Sequence, residues 1–65
     1  MINKEWTEYY VYLEKLRQSG ETNMLGAGPY LQKEYGLNPK EARKVLISWI
    51  DNYNELIERE IIRRG

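Results

Sequence analysis

The sequence predicts an all-α protein, a compact three-helix bundle, and three observations support that fold class. Apolar residues recur at the helical spacing of three and four in both halves of the chain. Residues that start or end helices flank these stretches, with Asn3 and Asn38 before helices and Gly20 and Gly36 after them. The 65 residues contain no internal repeat and no linker-like segment. We therefore expect a single domain over residues 1–65.

The first predicted helix covers about residues 4–18, with Asn3 as its N-cap. Its buried face combines aromatic and aliphatic side chains at helical spacing, namely Trp6, Tyr9, Tyr10, Leu13 and Leu16. Ile2 extends this face, and Val11 is predicted to point to the opposite side. Gly20 ends the helix, because glycine readily adopts the left-handed conformation of a helix terminator.

The second predicted helix is short, ends at Gly36 and has two alternative starts. Residues 22–23 offer a cap for a start at Met24, whereas a start at Pro29 avoids placing proline inside the helix. The intervening Gly26-Ala27-Gly28 lacks the preceding strand and the full spacing of a phosphate-binding loop. We expect these small residues to permit a bend and a close approach to a neighbouring helix.

The third predicted helix runs from Pro39 to about Arg63, with Asn38 as its N-cap and Glu41 in the acidic position of a capping box. At about 1.5 Å per residue, a straight helix of this length reaches roughly 36 Å. The predicted buried stripe is Ala42, Val45, Leu46, Trp49, Ile50, Tyr53, Leu56 and Ile57.

The end of this long helix is expected to overhang the bundle and to favour self-association. The first helix covers the overhang only in part, so a second subunit would cover the rest. The candidate oligomer contacts are Leu56, Ile57, Ile61 and Ile62. The alternative is a solvated terminal turn, since single exposed isoleucines near a terminus are common.

Composition narrows the classes of function. The chain has no cysteine and no histidine, which removes disulfides, zinc sites built on those residues, and the most frequent catalytic bases and nucleophiles. We therefore predict no enzyme, no catalytic residue, no metal, no cofactor and no small-molecule substrate. No apolar run approaches the roughly 20 residues of a membrane span, and the first residues lack the apolar core of a signal peptide. We expect a cytoplasmic protein without a membrane partner.

The second and third predicted helices have the spacing of a helix-turn-helix. The apolar, turn and cap positions of that pattern are occupied by Leu31, Gly36, Leu37, Asn38, Ala42 and Val45. Gln32 departs from the pattern, because small residues usually stand where the two helices cross. A recognition helix inserts its N-terminal residues into the major groove. The candidate contacts for DNA or for a protein partner are therefore Lys33, Lys40, Arg43, Lys44 and Ile47.

Charge leaves three interpretations of this surface open: a solvated face, a protein contact and a DNA contact. Ten basic and ten acidic residues cancel, which argues against a nonspecific nucleic-acid binder. Cations at the start of a helix are disfavoured by the helix dipole, which slightly favours a functional role for them.

The middle of the chain also carries a distinctive string of residues. It consists of Thr22-Asn23-Met24-Leu25-Gly26-Ala27-Gly28-Pro29-Tyr30-Leu31, followed by Gly36-Leu37, Glu41-Ala42-Arg43, Leu46 and Trp49. This string resembles a class of very short proteins encoded by tailed phages and prophages, over roughly residues 13 to 50. The resemblance implies a phage or prophage origin and a location in the host cytoplasm. It transfers no catalytic or binding residue.

Taken together, these patterns predict a nonenzymatic interaction module, phage-encoded, that binds a protein partner or itself through the third helix. The alternative is a small helix-turn-helix-like regulator that contacts DNA through Lys40, Arg43, Lys44 and Ile47.

Overall fold

The computed structural model describes residues 2–20, 22–23 and 26–63, and it confirms the all-α prediction. A 3₁₀ turn at the start of the chain is followed by α1, α2, α3 and α4. These elements cover Lys4–Trp6, Thr7–Ser19, Gly28–Tyr35, Pro39–Asp51 and Tyr53–Glu58, respectively. The described ranges contain no strand.

The ends of α1 follow the sequence signals. Asn3 accepts a hydrogen bond from the Glu5 backbone N–H at 2.9 Å, which caps the 3₁₀ turn that leads into α1. Gly20 ends the helix with a φ of 72°, a left-handed conformation that costs glycine little. Its backbone N–H donates to the Leu16 carbonyl at 3.2 Å.

The second helix begins next to Pro29, as one of the two predicted alternatives requires. Ala27 is the N-cap residue, and proline occupies the first turn, where its missing N–H is not needed. The alternative start at Met24 lies outside the described residues. Ala27 is fully buried, but a Cβ at Gly28 would meet no atom within 4 Å and one at Gly26 would meet only the side chains of Thr22 and Asn23, so the two glycines are not needed for the expected close approach to a neighbouring helix. Gly36 ends α2 with a φ of 68°.

The third predicted helix is not continuous to Arg63, which corrects the sequence-based expectation. Asn52 leaves helical geometry at φ −112° and ψ 16°, between the end of α3 and the start of α4. Its side-chain amide donates to the Ser48 carbonyl at 2.8 Å, and such local side-chain bonds compete with regular helix bonding. The largest dimension of the molecule is 28 Å, shorter than the roughly 36 Å of a straight 39–63 helix.

The chain reverses direction after α4. Glu60 adopts a φ of 59°, its N–H donates to the Ile57 carbonyl at 3.0 Å, and the Ile61 N–H donates to the Leu56 carbonyl at 3.0 Å. This pair of hydrogen bonds is a Schellman motif, which ends helices and turns the chain back. The reversal buries Ile62, which is only 3% exposed.

The reversed segment also corrects the prediction for Val11. We expected this side chain to face away from the core, but it is half-buried and lines a cleft with Ile61 and Ile62. The returning C-terminal segment thus covers a face of α1 that helical periodicity alone assigns to solvent.

Every helix contributes to a single hydrophobic core. Its buried members are Tyr10, Leu13, Leu16, Ala27, Leu31, Ala42, Val45, Leu46, Trp49, Leu56 and Ile62. Leu31, Ala42 and Val45, which occupy apolar positions of the helix-turn-helix pattern, are fully buried. The described residues form no helix with the length and apolar character needed to cross a membrane.

Tyrosines join α1 to α2 at the edge of this core. Tyr35 meets Tyr9 and Tyr12 edge-to-face, with ring centroids 4.8 and 5.4 Å apart. Such geometry is favourable for aromatic rings. Burial raises the pKa of the Tyr35 hydroxyl, and the nearby carboxylates of Glu8 and Glu34 raise it further.

Candidate functional site

The helix-turn-helix arrangement places the start of α3 at the surface. Three residues, 36–38, separate α2 from α3. Asn38 accepts a hydrogen bond from the Glu41 backbone N–H at 2.7 Å and so fixes the start of α3, as predicted. Pro39 stands in the first turn. The positions of the following cations are therefore set by a well-defined helix start.

The α3 outer face is the name we give to six exposed side chains of this helix: Lys40, Arg43, Lys44, Ile47, Ile50 and Asp51. Ile47 is 47% exposed and Ile50 is 43% exposed, and they are the large hydrophobic side chains that the described part of the chain leaves exposed. Four of the five residues predicted as partner contacts lie on this face.

Ile50 was predicted to be buried, and the structure corrects this. The core side of α3 is formed by Ala42, Val45, Leu46 and Trp49. At about 100° per residue, Ile50 lies roughly 100° away from Trp49 around the helix, on the side that turns towards Ile47. The sequence signal that could have identified it is its spacing of three from Ile47, which pairs the two side chains on one helix surface.

An open groove of about 400 Å³ runs beside the two exposed isoleucines, between α2 and α3. Its lining residues are Gly28, Pro29, Gln32, Pro39, Arg43, Leu46, Ile47 and Ile50. This groove was not predictable from the sequence pattern, because it depends on how α2 packs on α3. Gln32, the departure from the helix-turn-helix pattern, is half-buried in its wall.

Lys33 lies away from the other predicted contacts. It is exposed on α2 and lines a second depression together with Tyr30 and with Pro29, which also borders the groove. The groove that contains Arg43 and Ile47 does not include it. The structure therefore brings together the α3 candidates on one helix face and leaves Lys33 on α2, outside the groove.

Charge is distributed unequally along the α3 outer face. Lys40, Arg43 and Lys44 stand in its first half, and Asp51 stands at its end. Within the described ranges, the ion pairs join Arg17 to Glu14 and Arg59 to Glu55, so none of them neutralises a charge on this face.

The four candidate oligomer contacts do not form an exposed apolar patch. Leu56 and Ile62 are buried in the core of the single chain, and Ile57 and Ile61 are partly buried against it. This corrects the expected overhang: the chain reversal at Glu60 covers with its own residues the side chains that a second subunit was predicted to cover.

The described residues contain no group of three or more His, Cys, Asp or Glu side chains placed to hold a metal ion. Comparison with known proteins identifies no relative: no family model, no curated protein and no solved structure matches the chain. The geometry of the α3 outer face is therefore the basis for a functional proposal.

Proposed function

We propose that this protein is a small nonenzymatic interaction module that binds a protein through the α3 outer face. The observation that carries the proposal is the exposure of Ile47 and Ile50, three residues apart on one helix and beside an open groove. Apolar side chains in contact with a groove and surrounded by charges are typical of protein-binding surfaces.

Two features of the sequence support the remaining parts of this proposal. The absence of histidine and cysteine removes the most frequent acid–base and nucleophilic residues of enzymes. The resemblance of the 22–31 segment to very short phage proteins supports a phage or prophage origin, with action in the host cytoplasm. Small accessory proteins of that origin often act by binding a protein or DNA, and this support is by analogy.

The proposal is tested by affinity capture from host cells, followed by measurement of the partner's affinity in purified form. Three forms of the protein serve as bait: wild type, Ile50→Asp, and Lys15→Glu on the exposed surface of α1. A carboxylate at position 50 would be desolvated in the complex, so we expect at least about a tenfold loss of affinity. Lys15→Glu should bind as wild type does. A partner that binds all three forms equally would contradict the proposal.

A DNA-binding function is the second candidate, and a specific observation favours it. The exposed side chains of Lys40, Arg43 and Lys44 lie in the first two turns of α3, directly after a three-residue turn. This is the part of a recognition helix that enters the major groove. Asp51 on the same face argues against DNA binding, because a carboxylate repels phosphate.

Fluorescence anisotropy of labelled duplex DNA distinguishes the two functions. DNA binding would weaken steeply with salt, because contacts to phosphates release counterions. It would also be lost in a folded variant with Lys40, Arg43 and Lys44 replaced by alanine. If mixed-sequence duplex does not bind at low salt, the DNA candidate is rejected as a general binder and the protein-binding proposal is favoured.

A further inference from the structure

We propose that the partner of the α3 outer face is a second copy of this chain, bound with the two α3 helices antiparallel and Ile47 at the twofold axis. This inference rests on the proposed function and names the partner. The argument comes from the order of residues on the face, which is basic, then apolar, then acidic along α3. In an antiparallel pair, the basic start of the face in one copy lies opposite the acidic end of the face in the other copy.

The register follows from helix geometry. Along the helix axis, Lys44 lies about 4.5 Å before Ile47 and Asp51 lies about 6 Å after it. Seen down the helix axis at about 100° per residue, Lys44 is rotated from Ile47 by roughly 60° and Asp51 by roughly 40°, both in the same direction. A twofold axis beside Ile47 therefore brings Lys44 of one copy close to Asp51 of the other copy, and the reverse contact forms by symmetry.

The other flank of Ile47 is complementary in a different way. Arg43 and Ile50 are rotated from Ile47 in the opposite direction, by roughly 40° and 60°. The same twofold axis brings Arg43 of one copy close to Ile50 of the other copy. The apolar stem of an arginine can cover an isoleucine while its guanidinium stays in water. The contact would thus have Ile47 of both copies at its centre, flanked by ion pairs on one side and by Arg43–Ile50 contacts on the other.

Charge complementarity selects the orientation. A parallel pair would set Lys44 of one copy beside Arg43 of the other and Asp51 beside Ile50, so that cations would meet and no ion pair would form, and like charges in contact are unfavourable. The antiparallel pair also opposes the two helix dipoles. A symmetric contact of one patch with itself is the usual form of a homodimer.

The size of the face sets the expected affinity. With 13 residues, α3 is about 20 Å long, and a contact along one such helix stays below the roughly 1,200 Å² of standard stable interfaces. We therefore expect a reversible dimer with a dissociation constant of about 10 µM to 1 mM.

Sedimentation velocity of the purified full chain at concentrations up to about 1 mM tests the pairing. Wild type should change from monomer to dimer as concentration rises. Lys44→Glu and Asp51→Lys should each weaken the dimer by about tenfold or more, since each replaces two attractive contacts with repulsive ones. An equimolar mixture of these two variants should restore dimerisation, because every contact in the heterodimer is attractive again.

Matched variants define the controls. Lys15→Glu makes the same change of charge on α1 and should dimerise as wild type does, whereas Ile47→Asp should abolish dimerisation. All substituted side chains are exposed, and circular dichroism confirms that each variant is folded. A monomeric wild type, or a variant mixture that dimerises no better than its components, would overturn the pairing.

The two proposals fail separately. A monomeric wild type whose captured partner depends on Ile50 would overturn self-pairing and leave the protein-binding function standing. If the dimer forms equally well with Ile47→Asp and with the charge reversals, the α3 outer face is not the self-pairing surface. If a captured partner binds Ile50→Asp as well as wild type, this face is not the binding surface for that protein.

Discussion

Glu60 shows how one residue can determine the end of the fold. It is the non-glycine residue with a positive φ in the described part of the chain, at 59°. This conformation costs an L-residue roughly 1–2 kcal/mol relative to right-handed geometry. The two hydrogen bonds of the Schellman motif and the burial of Ile62 offset that cost.

Replacement of Glu60 by glycine should therefore stabilise the protein. Glycine adopts this φ without steric conflict, although it adds freedom to the unfolded chain. We expect Glu60→Gly to raise the free energy of unfolding by about 0.5–1 kcal/mol, measured by urea denaturation followed by circular dichroism.

The matched control is Glu58→Gly, two residues earlier and within α4. Glu58 is the last residue of α4 and has right-handed helical geometry, so a glycine there should lower the free energy of unfolding by up to about 1 kcal/mol. If both substitutions destabilise the protein to the same degree, Glu60 does not hold the left-handed position.

At the scale of elements, polar contacts connect helices that lie far apart in sequence. The Tyr10 hydroxyl and the Ser48 hydroxyl are 2.8 Å apart, linking α1 to α3. The Asn3 backbone N–H donates to the same tyrosine oxygen at 3.2 Å. Asn52, at the break between α3 and α4, donates to Ser48, so the first turn of the chain and the break are joined.

A second polar cluster connects α1 to the C-terminal segment. Glu14 is only 4% exposed and accepts hydrogen bonds from Arg17 at 2.6 Å and from Gln18 at 2.9 Å. Gln18 also donates to the Arg63 carbonyl at 3.1 Å. Burial by itself raises the pKa of the Glu14 carboxyl, but hydrogen bonds from Arg17, Gln18 and Tyr53 outweigh it, so that the pKa lies below its ordinary value.

Because the pKa of Glu14 is lowered, we expect the free energy of unfolding to depend on pH in the acidic range. The ionised carboxylate is favoured in the folded state, so its contribution is fully present above the unfolded pKa of about 4.5 and is lost as pH falls through the lower folded pKa. We expect the free energy of unfolding of wild type to decline below about pH 4.5. Urea denaturation at a series of pH values measures this.

Two glutamine variants isolate the contribution of this carboxylate. Glu14→Gln should destabilise the protein near neutral pH and should flatten the decline in acid. Glu8→Gln, an exposed position on α1, should leave the profile close to that of wild type. An unchanged decline in Glu14→Gln would assign the acid dependence to other groups.

At the scale of the whole molecule, the returning C-terminal segment closes the core. The chain has a radius of gyration of 10.7 Å and dimensions of 28 × 24 × 16 Å. A domain of about 60 residues buries only roughly 60% of the surface of its unfolded chain. Each buried side chain therefore contributes a large share of the free energy of unfolding, and this includes Ile62 in the returning segment.

Ile62→Ala tests this role. Truncation of a buried isoleucine to alanine costs about 2–5 kcal/mol, whereas the exposed Ile47→Ala should cost less than about 0.5 kcal/mol in dilute protein. Thermal and urea denaturation measure the difference. Equal effects of the two substitutions would show that Ile62 belongs to the surface.

Local signals predicted the elements well where a residue acts on its immediate neighbours in the chain. Asn38 caps α3, and Gly20 and Gly36 end α1 and α2, because capping and left-handed geometry depend on immediate neighbours. The outward position of Ile47 was also predictable, since periodicity places it opposite the buried stripe.

Helical periodicity missed three features: the break at Asn52, the left-handed Glu60 and the exposure of Ile50. Contacts between elements accompany each of them in the structure: Ser48 with Tyr10, the C-terminal segment with α1, and α2 with α3. Periodicity treats a helix as straight and isolated, so it extended one helix to Arg63 and assigned Ile62 to a surface.

The sequence by itself determined the all-α class, the caps, the helix-turn-helix spacing and the cations at the start of α3, because these follow from neighbours within one or two turns. Only the tertiary structure decided where the last helix stops, which isoleucines are covered and which remain exposed beside a groove. The physical reason is that burial belongs to the packing of one element against another, and in so small a domain a single chain reversal redistributes it.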